Sequence, residues 1–255
     1  MAETFANIYI TGDKHGNFYK IKNFCERMHT TKRDLMIILG DAGINFSNDF
    51  HEYTVKKELQ ELPITFFCIQ GNHDMRPQHV VKVDKSTFKK TDRKAYHVND
   101  WNKGKVFVET EFPSLLFPQD GEMFDLNGYM TLVCGGAFSP DKEQRLLHHN
   151  PWFKDEQPST RTKHRTEQKI DLWKGKADAV LTHTIPARFI PQLMLPTWKG
   201  IDRSTEEWLD TIEKKLKYKR WYAGHFHKDI RIEKLTIMMD NIDLFMNQGN
   251  AQNGF

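Results

Sequence analysis

Cysteine is scarce in this chain, with 3 among 255 residues. Cys25, Cys68 and Cys134 stand far apart, a spacing that excludes a disulfide frame or a zinc knuckle. Two of them sit inside apolar runs, so they read as buried, reduced thiols of a cytosolic protein. Long apolar runs are missing as well. None approaches the roughly 20 residues of a membrane-spanning helix. The opening Met1-Ala2-Glu3-Thr4-Phe5-Ala6-Asn7 has neither the basic segment nor the apolar stretch of a secretion signal. The expectation is a cytoplasmic protein without membrane contact. Charge of one sign is also in short supply. Lys and Arg number 37 against 34 Asp and Glu, a net charge of +3, far from the dense basic stripe of a dedicated DNA binder. There is no internal repeat and no low-complexity tract.

What is present is a succession of short apolar runs ending in turn residues. The length suits one large core or two small ones, and the even spread of strands and motifs favours a single domain over 1–246 with a polar tail at 247–255. The first third alternates strands at 5–11, 35–39 and 64–70 with helices at about 18–29 and 50–61. Phe18, Ile21, Phe24 and Met28 fall near helical spacing, Asp49 is placed to cap the second helix, and Pro63 ends it. Such a βαβαβ opening implies parallel neighbours with right-handed crossovers.

Residues 75–105 are polar and basic, with Lys82, Lys85, Lys89, Lys90, Arg93 and Lys94. They are expected to form a helix with loops, and a solvated charged face outweighs a nucleic-acid groove there. Short strands follow at 105–112, 114–117, 122–126 and 129–134, with turns at Gln119-Asp120-Gly121 and Asn127-Gly128. These are expected to form the second sheet of a layered sandwich. Helices at about 141–148 and 160–173, a strand at 178–182, a loop over 184–202, a helix at 204–218 and strands near 229–233 and 235–239 complete the chain.

Five short motifs recur in one setting. They are Gly12-Asp13-Lys14-His15-Gly16, Gly40-Asp41, Gly71-Asn72-His73-Asp74, Thr182-His183-Thr184 and Gly224-His225-Phe226-His227. Each ends a short apolar run that reads as a buried strand, and proteins of alternating α and β structure place their sites at strand carboxyl ends. Singly, a Gly-Asp is an ordinary turn and a histidine an ordinary surface or core residue. Together the motifs offer carboxylates, an amide oxygen and imidazoles, the ligand set of a two-metal hydrolytic site.

The ordered set D-x-H, G-D, G-N-H-D, H and G-H-x-H resembles the calcineurin-like metallophosphoesterase superfamily, over residues 8–227. The resemblance implies an α/β fold, a layered α-β-β-α sandwich of mixed sheets. It also implies two divalent metal ions. Asp13, His15 and His227 would hold the first, Asn72, His183 and His225 the second, and Asp41 would bridge them. A bridging water, deprotonated near neutral pH, would be the nucleophile. Mixed nitrogen and oxygen ligands suit Mn, Fe, Zn, Co or Ni, with Mn first. The resemblance makes His73 the residue that touches the phosphate and protonates the leaving oxygen.

One departure bears on substrate. Protein phosphatases of the superfamily carry G-D-x-x-D-R-G, and here Ile44 and Asn45 stand at the second Asp and the Arg. Asp74 is expected to support His73 in place of the missing Asp. Asn72 and Arg76 are expected as substrate contacts, although a surface salt bridge suits Arg76 equally. Lys14 reads as a solvent-facing neighbour of the ligands. Trp152, Asp155, Glu156 and His164 could form a rim above the metals. The aromatics and prolines of 151–158 and 186–198 stack a base or, more simply, pack their loops down. The expected function is metal-dependent hydrolysis of a small phosphomonoester or phosphodiester of nucleotide type, with nucleic acid not favoured. A phosphoprotein phosphatase and a non-catalytic, metal-stapled binding module are the alternatives.

Overall fold

The computed structural model describes residues 3–84, 86–87, 89–194 and 200–247. Lys85, the 195–199 part of the long loop and the tail from 248 onward lie outside the described residues. β1 (Ile8–Thr11), β2 (Leu35–Ile38) and β3 (Thr65–Cys68) pair in parallel, linked by helices α1 (Tyr19–Met28) and α2 (Phe50–Glu61). Every residue of β1 and β2 is buried, as in a parallel sheet covered on both faces. Alternation along the strands decides which cover each residue meets. Ile8, Ile10, Leu35, Ile37 and Phe67 join one core cluster, whereas Tyr9, Met36, Ile38 and Phe66 pack with Ile21, Phe24 and Leu59 of the helices. The Asp49 carboxylate accepts from the Glu52 N–H at 3.0 Å, so α2 is capped as its sequence requires.

Residues 75–105 are not the expected helix. A 3-10 turn (Pro77–His79) leads into a hairpin of β4 (Val81–Val83) and β5 (Lys90–Lys94). β6 (His97–Trp101) then pairs with β7 (Gly104–Glu109), and β7 with β8 (Phe112–Pro118). Two local effects defeat the helix. Asp84 Oδ1 accepts from the backbone N–H groups of Ser86 and Thr87 at 2.8 and 2.9 Å, closing a turn. The β-branched Val80, Val81, Val83, Thr91 and Val98 favour extended chain. Lys82, Lys89, Lys90, Arg93 and Lys94 are exposed on this hairpin.

β8 lies parallel to β3, so β7 and β8 extend the first sheet, in the order β6 to β8, then β3, β2 and β1, and do not join the second sheet as expected. The second sheet comprises β9 (Glu122–Leu126), β10 (Tyr129–Cys134), β11 (Ala179–Thr182), β12 (Arg220–Ala223), β13 (Ile230–Ile232) and β14 (Leu235–Ile237). A final β15 (Asp243–Leu244) returns to pair antiparallel with β1. Between β9 and β10, Asn127 and Gly128 both take positive φ, 52° and 86°, as the tightest hairpins require. Short α3 (Lys142–Leu147) precedes α4 (Thr160–Leu172) and α5 (Ser204–Lys215). Ile170, Trp208, Leu209 and Ile212 of the latter two cover Leu132, Val180 and Trp221 of the second sheet. Val133, Leu181 and Tyr222 turn the other way, into the core shared with the first sheet. The result is the expected α-β-β-α sandwich of mixed sheets. Part of the expected 184–202 loop is a 3-10 turn (Ala187–Leu193) whose Phe189 is buried. All three cysteines are free and buried.

Candidate metal centre

Five loops leave the carboxyl ends of β1, β2, β3, β11 and β12 and meet. His227 Nε2 lies 3.3 Å from Asp13 Oδ2 and 3.1 Å from His15 Nε2. His183 Nε2 lies 3.6 Å from Asp41 Oδ1. Asn72 Oδ1 sits 2.8 Å from His183 Nε2 and 2.9 Å from His225 Nδ1. Asp13, His15 and His227 form one group with ligand atoms within 4.8 Å of each other, and Asp13, Asp41 and His183 form a second. The seven residues expected as ligands thus come together.

The glycines of the motifs make room for this. A Cβ on Gly224 would overlap the Asp13 carboxylate, and one on Gly71 would overlap Asp41. Four of the converging residues adopt left-handed backbone, His15, Asp41, His225 and His227, with φ of 47°, 46°, 66° and 49°. Such conformations persist where surrounding structure enforces them.

Hydrogen bonds fix the direction of each donor. The Asp13 carboxylate accepts the His225 N–H at 3.0 and 3.1 Å, and Asp41 Oδ1 accepts the His73 N–H at 2.8 Å. His183 Nδ1 lies 2.8 Å from the Leu39 carbonyl. The proton on Nδ1 is donated there, which turns Nε2 toward the site. Asn72 Nδ2 donates to Ser139 Oγ at 3.0 Å, and this orients Oδ1 toward the two histidines. Ser139 in turn donates its hydroxyl to Glu156 Oε2 at 2.5 Å and its N–H to Oε1 at 3.1 Å. Glu156 is therefore buried behind Asn72 and does not stand on the rim, because its carboxylate needs those two donors.

The electrostatics call for positive charge between the carboxylates. Burial would depress the His183 imidazole, but Asp41 and Asp13 outweigh it and hold the group up to about 10. Burial would raise Asp41, yet His183 and His73 pull it well below the usual carboxylate range. Burial, helped by His183, drives His225 well below the ordinary imidazole value. The hydrogen bond to Asp13 raises His227. Hard oxygen and imidazole donors converging on such a field suit divalent cations.

His73 lies beside the cluster, with Nε2 3.9 Å from Asp41 Oδ2 and 3.3 Å from Arg145 of α3. Burial lowers its pKa; Asp41 opposes the fall and Arg145 adds to it. Asp74 does not support His73, contrary to expectation. Its carboxylate faces the other way and accepts the N–H groups of Gly71, Ala42 and Gly43 at 3.1, 3.3 and 3.2 Å. Burial and the charge of Asp41 push it up to about 7. Arg76 is likewise turned from the site. Its guanidinium donates to Asp120 Oδ2 at 2.6 Å and to the carbonyls of Asp155 and Gln157 at 2.7 and 3.2 Å, pinning the 151–158 loop. A buried guanidinium takes a carboxylate and carbonyls where they are offered. Lys14 is buried and not solvent-facing, since Nζ donates to the Met239 carbonyl at 2.6 Å.

Over the cluster lies a cavity of about 550 Å³, lined by Asn72, His73 and His225 and by Phe138, Glu206 and Phe226. Among the described residues, its aromatics come from the β10–α3 connection and the G-H-x-H turn, and those of 151–158 do not line it. Arg145, Ser139 and Glu206 carry no local sequence signal for a role here, because their partners lie 72, 67 and 22 residues away.

No curated protein matches the chain in sequence. Among solved structures, the TT1561 protein of Thermus thermophilus is similar, at 13% identity and a TM-score of 0.50, covering 93% of this chain and 91% of that one. A 5′-nucleotidase candidate from Staphylococcus aureus, crystallised with alpha-ketoglutarate, aligns at 13% identity and a TM-score of 0.40, over 91% of this chain and 48% of that one. Among the described residues no helix is long and apolar enough to cross a membrane. A family model described as calcineurin-like phosphoesterase matches residues 6–229, from just before β1 to just past His227, and the chain belongs to that family of metal-dependent phosphoric ester hydrolases.

Proposed function

We propose that this protein hydrolyses a small phosphate ester of nucleotide type at two divalent cations. Asp13, His15 and His227 would hold one ion, Asn72, His183 and His225 the other, with the Asp41 carboxylate shared. Ions bound there polarise phosphoryl oxygens and bring the pKa of a coordinated water near neutrality. The nitrogen and oxygen donors, with no thiolate, favour Mn, Fe, Zn, Co or Ni, Mn first. The observation that carries this reading is the convergence of Asn72 Oδ1 with His183 and His225 within 2.9 Å, fixed from behind by Ser139.

His73 is the proton donor to the leaving oxygen. It lines the cavity with Asp41, its Nε2 lies 3.9 Å from Asp41 Oδ2, and its backbone N–H is held by that carboxylate. Arg145 replaces Arg76 as the phosphate clamp. Its guanidinium lies 3.3 Å from His73, and Asp141 steadies it through Nε at 2.7 Å. A cavity of about 550 Å³ suits a small ligand. Ile44 is fully buried and Asn45 accepts the Tyr96 hydroxyl at 2.8 Å, so neither position is available for the protein-phosphatase roles.

The test is elemental analysis of protein made with Mn and Zn available, coupled to turnover of 4-nitrophenyl phosphate before and after chelation. The expected result is close to two ions per chain and loss of turnover on chelation, with Asp41→Asn weakening both sites together. Protein free of metal beyond trace, or turnover indifferent to chelation, refutes the reading.

A further inference from the structure

The cavity over the metal ligands holds a cation that a single phosphate does not use. Arg203, from the connection that precedes α5, lines it with Ile201 and Phe226. The residue is half-buried, and its side chain makes no hydrogen bond or ion pair among the described residues. The other guanidiniums around the site behave differently. Arg145 is held by Asp141 and the Pro151 carbonyl, and Arg76 by Asp120 and two carbonyls. A guanidinium withdrawn from water takes such acceptors where the protein offers them. None is offered to Arg203. Burial raises the pKa of neighbouring Glu206, and Arg203 opposes the rise through its charge, but no hydrogen bond joins the two; Glu206 Oε1 instead accepts the Thr184 hydroxyl. Asp202 accepts from the Gln157 amide and the Ser204 N–H. Asp141 is taken by Arg145 at 2.7 Å.

We propose that Arg203 binds a second phosphate of the substrate, one carried by the leaving group. The phosphoryl group that is transferred is already met by the metal ligands, His73 and Arg145. Arg203 stands on a different element and lines the same space of about 550 Å³, room for a whole small ligand and not only for one phosphate. The rings of Phe138 and Phe226 give that space aromatic faces on which a base can stack. A planar guanidinium meets a phosphate through two parallel N–H···O bonds. A monophosphate with an uncharged leaving group would leave the cation unmatched. Two nucleotide chemistries supply the second phosphate. A 5′-diphosphate carries it next to the first, and a 3′,5′-bisphosphate carries it across the ribose. This assignment rests on the phosphoesterase reading above and deepens it by giving the leaving group a charge.

The experiment uses the full chain loaded with Mn, at fixed free Mn²⁺ and ionic strength. It follows phosphate release from adenosine 5′-monophosphate, 5′-diphosphate and 3′,5′-bisphosphate. The wild type is expected to favour one of the doubly phosphorylated forms over the monophosphate by about tenfold or more in kcat/KM, the worth of one charge-assisted pair. The form that gains tells whether the second phosphate adjoins the first or lies across the ribose. Arg203→Ala should bring that ratio toward one, chiefly through a higher KM for the doubly phosphorylated form. Arg203→Lys, which keeps the charge and loses the planar fork, should keep part of it. Neither substitution orphans a partner, so both variants are expected to fold. Equal kcat/KM for all three nucleotides, or a preference that Arg203→Ala keeps in full, overturns the assignment and leaves Arg203 a solvated cation. The first readout needs only the wild type. Turnover of 4-nitrophenyl phosphate with none of any nucleotide overturns it while the phosphoesterase reading stands. Turnover of neither overturns both.

Discussion

Ser139→Ala tests whether the metal centre depends on orientation from behind. The substitution leaves the backbone in place and removes one oxygen. That oxygen accepts from Asn72 Nδ2 and donates to Glu156 Oε2, and all three residues are buried. Without it two buried polar groups lose a partner, at about 1–3 kcal/mol for each unsatisfied group. Part of that cost is relieved if Asn72 rotates, and rotation takes Oδ1 away from His183 and His225. Loss of such a supporting partner ordinarily lowers metal affinity by about 10–100-fold. That factor corresponds to roughly 1.4–2.7 kcal/mol, close to the cost of one orphaned group. The assay is turnover of 4-nitrophenyl phosphate against Mn²⁺ concentration, beside direct metal titration of chelated protein. The half-saturating concentration should rise by about that 10–100-fold, while the rate at saturating metal largely recovers. Unchanged affinity, or a lost rate that no concentration of metal restores, would refute the argument that Ser139 acts through Asn72.

His73→Ala should retain its metals and lose more rate on alkyl phosphates, whose leaving groups need a proton, than on 4-nitrophenyl phosphate; the alkyl loss is expected at about a hundredfold or more, and equal losses would point to binding alone. Arg76→Ala should act on stability, lowering it by about 3–5 kcal/mol in denaturant melts because Asp120 is left as an unpaired buried charge. A stable Arg76→Ala protein with impaired KM would restore Arg76 to the substrate. The Glu52 carboxyl, which accepts the N–H groups of Phe46, Ser47 and Asn48, has its pKa raised by burial against the pull of Lys56. The fold therefore favours its protonated form. Its contribution to stability is full below the ordinary glutamate value, about 4.3, and declines as pH rises through the raised folded value. Denaturation of Glu52→Gln and wild type across this window should show the variant gaining on the wild type as pH rises, and a flat or falling difference would contradict the burial argument.

The ligands were legible in the sequence because each is a local event. An apolar run buries a strand, the run stops, and a Gly with Asp, Asn or His follows, as at Leu39-Gly40-Asp41. The layers followed from the same runs, since fully apolar strands such as Leu35–Ile38 demand cover on both faces. What could not be read depends on distant partners. Arg76 sits near the ligands in sequence, but its orientation is decided by Asp120, 44 residues on. Lys14 lies between two ligands, yet the carbonyl of Met239 draws its ammonium inward. The 75–105 region looked helical in its charge and length, and Asp84 overrode that by closing a turn on its own neighbours. Ser139 and Glu156 have no motif at all. Their role exists only once β10 has delivered its following loop beside Asn72.

The left-handed backbone at His15, Asp41, His225 and His227 restricts which ligands evolution or design can place there. Asp, Asn and His are the side chains, apart from glycine, that occur several-fold more often in this conformation. Glutamate and cysteine, equally competent to bind metal in solution, would meet a backbone penalty before any coordination chemistry began. The composition of the centre is thus selected twice, once by the cations and once by the turns. A change of metal preference is then more accessible through the residues behind the ligands, such as Ser139, or through Asp13 and Asn72, whose backbone is not left-handed. Swapping donor types at the four left-handed positions would demand that the loops be rebuilt as well.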